Sequence, residues 1–87
     1  MSNKTYGIWN KIKTTRPDHN LPLLFSVRFE GFEKPESLTG VFYHGQEPED
    51  DVVVIDSLEG SFYRKEKFTN KGTTITHYTY LPEDPQE

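Results

Sequence analysis

Neither cysteine nor alanine occurs in the 87 residues, and each absence excludes something. Without cysteine there is no disulfide, no thiol nucleophile and no thiolate zinc site. Without alanine the chain lacks the strongest helix former, while nine threonines and twelve aromatic residues suit the pleated surface of a sheet. Long hydrophobic runs are missing too, since no apolar stretch approaches the roughly 18 residues of a membrane span. The start, Met1-Ser2-Asn3-Lys4-Thr5, has no apolar stretch of a secretory signal, so a soluble cytoplasmic protein is expected. The phosphate-cradling patterns G-x-G-x-x-G and G-x-x-x-x-G-K do not occur, and no nucleotide cofactor is expected.

What is present describes a small globular domain with an aromatic core. A chain of 10.2 kDa forms one domain, residues 1–87, with a thin stability margin. Only 32% of residues are hydrophobic and mean hydropathy is −0.80, which leans toward disorder, yet aromatics reach 14%, which leans away from it. Net charge is −4 and unevenly spread. Residues 1–16 hold Lys4, Lys11, Lys13 and Arg16 with no acid, leaving six basic and fourteen acidic residues on the remainder. Acid is densest at Glu47-Pro48-Glu49-Asp50-Asp51 and in the tail, where residues 82–87 are expected to fray.

The periodicities predict a mainly β fold of α+β class: a five-stranded antiparallel meander, open or partly closed into a barrel, with one short N-terminal helix. Thr5 is placed to cap that helix, in which Ile8, Trp9 and Ile12 share a face. Phe25, Val27 and Phe29 alternate with Ser26, Arg28 and Glu30, the clearest strand, and residues 38–44 read as its hairpin partner across turn chemistry at 33–37. Val52-Val53-Val54-Ile55 is apolar on both faces and predicts the middle of the sheet. Residues 61–68 and 73–81 predict the last two strands, separated by the Thr69-Asn70-Lys71-Gly72 turn. In the final strand, parity sets Ile75, His77, Thr79 and Leu81 on one face and Thr74, Thr76, Tyr78 and Tyr80 on the other, open one.

No constellation of reacting groups is visible. The three histidines, His19, His44 and His77, lie far apart and no nucleophile elbow accompanies them. His44 and His77 fall in strands, where cross-strand packing is the ordinary role. The Glu47 to Asp51 cluster lacks the alternating spacing and fixed glycine of a calcium loop. No metal and no catalytic residue is assigned, and the chain is not expected to be an enzyme.

The expected function is therefore that of a small protein-binding module, an inhibitor or accessory factor that occupies a partner surface, such as that of a nucleic-acid-handling enzyme. Trp9, Tyr43, Tyr63, Tyr78 and Tyr80 are the candidate anchors, because interface energy concentrates in a few aromatics, and Glu47, Glu49, Asp50 and Asp51 supply electrostatic steering. The alternative is an OB-like domain for single-stranded nucleic acid that stacks bases on Tyr63 and Tyr78 and holds phosphates with Lys65 and Lys67. Its handicap is the net negative charge. A third expectation is a homodimer through an exposed edge strand at residues 73–81. In compactness, absence of alanine and absence of visible chemistry the chain resembles small accessory proteins encoded by bacteriophages, and that resemblance implies a host enzyme or defence system as target.

Overall fold

The computed structural model describes residues 8–17 and 20–81, which form one curled antiparallel sheet, a half-barrel. Seven strands are present among the described residues: β1 (Asn10–Lys11), β2 (Leu21–Phe29), β3 (Glu36–Tyr43), β4 (Val52–Ile55), β5 (Phe62–Tyr63), β6 (Thr69–Asn70) and β7 (Thr73–Tyr80). Their order is β1-β7-β2-β3-β4-β5, with β6 pairing β7. The mainly β, antiparallel expectation holds, and so does the hairpin of β2 and β3, in which Leu24 faces Thr39 and Phe25 faces Leu38. Among the described residues no helix is long and apolar enough to cross a membrane.

Three expectations are corrected. No N-terminal helix forms over the described residues 8–13; Thr5 lies outside the described residues. Asn10 and Lys11 pair instead with Tyr78 and His77, and the Ile12 N–H donates to the Thr76 carbonyl at 3.1 Å. A helix of two turns is marginal alone, and an adjacent strand offering backbone partners outcompetes it. Ile12 is buried, whereas Ile8 and Trp9 stay exposed. Second, the sheet is not a simple meander, because the last strand returns to pair with β2. The segment expected as one strand over 61–68 is broken by a 3-10 turn at Arg64–Glu66. The middle of the sheet is β2, flanked by β7 and β3, while β4 neighbours only the two-residue β5 on its far side. Third, β7 has β2 on one side and β1 and β6 on the other, so residues 73–81 are no exposed edge, and a dimer through them loses its basis.

The core fills the concave side. Leu23, Phe25 and Val27 from β2 meet Phe42 from β3, Val53 and Ile55 from β4, and Phe62, Phe68 and Ile75. Period-two alternation holds through β2, β3 and β4 and is interrupted in β7. There Ser26 pairs with His77 but Val27 pairs with Ile75, so Thr76 is an extra residue, a β-bulge. The bulge switches parity mid-strand: Ile75 is buried before it, and Tyr78, only 3% exposed, is buried after it. Tyr80 packs against the same core, its ring centroid 6.0 Å from that of Tyr78 in an edge-to-face contact. The expected open face carrying Tyr78 and Tyr80 is thus the inner face.

Candidate functional site

Alternation that sends Phe42, Val53 and Phe62 inward must send their neighbours outward. On the outer side Tyr43, Val52 and Tyr63 form one row across β3, β4 and β5, because Tyr43 pairs with Val52 and Val52 with Tyr63. The next outward row is Pro22, Val41 and Val54. Tyr43 is 42% exposed, and Val41, Val52, Val54 and Tyr63 are half-buried. Lys65 Nζ lies 5.2 Å from the Tyr63 ring centroid, a cation–π contact at the rim.

The acidic loop belongs to this surface. It leaves β3 after Tyr43 and re-enters the sheet at Val52, so it stands at the end of the tyrosine row. A 3-10 turn at Pro48–Asp50 holds it compact, and Glu47, Glu49 and Asp50 are exposed. Glycine is required at position 45, where a Cβ would come within 2.3 Å of Asp50 Cβ.

Asp51 departs from its expected steering role. It is fully buried and is the hub of a charge network. Arg16 grips it with two hydrogen bonds, Nε to Oδ2 at 2.7 Å and Nη2 to Oδ1 at 2.8 Å, the fork geometry suited to a carboxylate. The Gly45 N–H donates to Oδ1 at 3.0 Å, and Arg64 Nε reaches Oδ2 at 3.3 Å. Burial alone would push the Asp51 carboxyl up, but the Arg16 hydrogen bonds, the Gly45 N–H and the charges of both arginines outweigh it and hold the pKa below the usual carboxylate value. The Arg16 guanidinium is raised in turn, chiefly by its hydrogen bonds to Asp51.

The remaining sequence candidates separate. Tyr78 and Tyr80 belong to the core, so the nucleic-acid face built from Tyr63, Lys65, Lys67 and Tyr78 is not assembled: Tyr63 is on the outer side, Tyr78 on the inner. Lys67 is exposed and ends the 3-10 turn in the left-handed region, with φ of 58°. Trp9 is exposed on the β1 side, separated by several strands from Tyr43. His44 is tied to the Pro17 carbonyl through Nε2 and stacks edge-on against Phe42, while His77 contacts Thr76, so each histidine has its own partners. His19 lies outside the described residues. Among the described residues no group of three or more His, Asp or Glu is placed to hold a metal ion.

Sequence reasoning named Tyr43 and Tyr63 but missed Val41, Val52 and Val54 as surface, because a doubly apolar strand reads as covered. The available signal was Tyr43 itself, which shares parity with Val41 in a hairpin whose other parity, Leu38, Gly40 and Phe42, faces the core. Compared with known protein families, with characterised proteins and with solved structures, the chain matches none.

Proposed function

We propose that this protein is a non-catalytic binding module that seats its outer tyrosine and valine face on an apolar patch of another protein, as an inhibitor or accessory factor. One observation carries the reading: Tyr43, Val52 and Tyr63 form a continuous outward row with Val41 and Val54 behind it and Glu47, Glu49 and Asp50 at its end. Aromatic anchors beside an apolar strip bind, and a charged rim steers and selects. The rim is acidic along the β3–β4 loop and carries Lys65 beside Tyr63, so the complementary partner carries basic groups opposite the loop. Enzymes that handle nucleic acid fit that description because they present cations to phosphates. The resemblance to small phage accessory proteins points to such an enzyme, or a defence protein, in a host cytoplasm.

Affinity capture from a host lysate, with and without nuclease, supplies the partner, and binding is then measured with both proteins purified. Tyr43→Ala is expected to weaken the complex by about 2 kcal/mol, roughly thirtyfold, as a central anchor does. Val54→Lys, which plants a charge in the apolar strip, should do at least as much. Replacing Glu47, Glu49 and Asp50 by their amides should mainly slow association and reduce its salt dependence. Wild-type affinity in both Tyr43→Ala and Val54→Lys would remove this face from the interface.

A further inference from the structure

The opposite end of the outer surface has different chemistry. Loss of the expected helix places Trp9, Lys11 and Lys13 beside β7, and the bulge at Thr76 turns His77 outward next to Arg28 of β2. Two adjoining clefts result. One, of about 400 Å³, is lined by Trp9, Ser26, Arg28, Pro35, Thr76 and His77. The other, of about 260 Å³, is lined by Lys11, Lys13, Thr14, Thr74, Thr76 and His77. Thr76 and His77 line both, so the two adjoin at these side chains, and among the described residues no carboxylate lines either.

From this we infer that the groove between Trp9 and Lys13 is a binding site for a short single strand of nucleic acid, independent of the tyrosine and valine face. Three features select this ligand. The exposed indole of Trp9 offers a flat surface for a base. The flexible ammonium groups of Lys11 and Lys13 and the guanidinium of Arg28 are exposed and, among the described residues, free of ion pairs of the kind that occupy Arg16 and Arg64, which suits a chain of phosphates spaced along the groove. Polar recognition comes from the bulge. The Thr76 hydroxyl donates to the Ser26 carbonyl at 3.3 Å, so its oxygen accepts from His77 Nδ1 at 3.0 Å. In a neutral ring, an Nδ1–H that donates leaves Nε2 as an acceptor, matched to a base N–H. Net charge of −4 opposes this only weakly: Glu47, Glu49 and Asp50 stand on the β3–β4 loop, Glu30, Glu33 and Glu36 flank Arg28 and Pro35 without lining the groove, and repulsion between separated charges is screened over about 10 Å at 0.1 M salt.

The chain has a single tryptophan, so its fluorescence reports on the site itself. Titration with an eight-nucleotide oligothymidylate at about 50 mM salt is expected to quench Trp9 to saturation. Three phosphate contacts give a salt slope near −2, so affinity should fall about twentyfold by about 200 mM. A variant combining Lys11→Gln, Lys13→Gln and Arg28→Gln should bind at least about tenfold more weakly with a flatter salt dependence and an unchanged thermal midpoint, since all three side chains are exposed. Trp9→Leu, followed by anisotropy of a labelled oligonucleotide, should lose about tenfold. Duplex DNA of equal length should bind less tightly, because its bases are not free to stack. Absence of quenching, quenching unaltered in the triple variant, or polyglutamate binding as tightly as the oligonucleotide would each overturn the assignment, the last by making the groove a surface for acidic peptides.

Discussion

Asp51 is held inside the protein as a carboxylate because four donors from three segments converge on it, and this makes it the residue on which acid stability turns. Its pKa is lower in the folded chain than in the unfolded one. The network therefore contributes fully above the ordinary carboxylate value, about 4, and its contribution is lost as pH falls through the lower folded value. Asp51→Asn leaves two arginines against an amide whose NH2 group is itself a donor. Breaking a buried pair in this way costs about 3 kcal/mol near neutral pH. For a domain of this size that lowers the thermal midpoint by roughly 15 °C. Chemical denaturation across pH checks the assignment: the gap between wild type and Asp51→Asn should be constant above about pH 5 and narrow below about pH 4. A gap independent of pH down to about 2 would mean that the charge of Asp51 is not what stabilises.

Where a hairpin is closed by a tight turn, local chemistry alone sets the element. Asn70 pairs with Thr73, so Lys71-Gly72 is a two-residue loop, and φ is 53° at Lys71 and 80° at Gly72, the positive pair of a type I′ turn. Lysine in the left-handed region is strained and asparagine much less so. Lys71→Asn is therefore expected to raise stability by up to about 1 kcal/mol, and Gly72→Ala to lower it by about 1–2 kcal/mol, both read from denaturant midpoints at unchanged slope. This turn and the β2–β3 hairpin were legible because their signals are local: glycine and asparagine at fixed offsets, and Phe25, Val27 and Phe29 in strict alternation. What stayed illegible depends on distant partners. The bulge at Thr76 exists relative to β2, and no residue type in Thr74-Ile75-Thr76-His77 announces it, yet it decides that Tyr78 is core and His77 is surface. The helix over residues 8–13 failed for the same kind of reason, since its pattern was sound and β7 offered a better partner. The row of Tyr43, Val52 and Tyr63 was hidden because Val52-Val53-Val54-Ile55, apolar on both faces, reads as a covered central strand, whereas its outward valines lie between Tyr43 and Tyr63 on the outer side.

At the scale of the molecule, an open curled sheet has two ends to secure, and Arg64 joins them. It follows β5 at one end of the strand order, and its guanidinium reaches the backbone just after β1 at the other. Nη1 donates to the carbonyls of Ile12 and Lys13 at 2.9 and 3.4 Å, Nη2 to that of Thr15 at 3.2 Å, and Nε to Asp51. The Phe68 ring lies 5.1 Å below it. One planar group thus fastens the β1 turn to the loop before β4, and through β1 it positions both Trp9 and Lys13. Arg64→Lys keeps the charge but not the fork of donors, and a single ammonium cannot span three carbonyls and a carboxylate. The expected result is local rather than global: amide exchange at Ile12, whose N–H bonds to Thr76, should accelerate by at least about tenfold, while amides in β2 and β3 keep their protection. Uniform acceleration across the sheet would show instead that closure by Arg64 is part of the global fold. In the local case, oligothymidylate binding at Trp9 should weaken in parallel with the exchange at Ile12, while affinity at the Tyr43 face should hold, because β3 and β4 are paired along their length without help from Arg64.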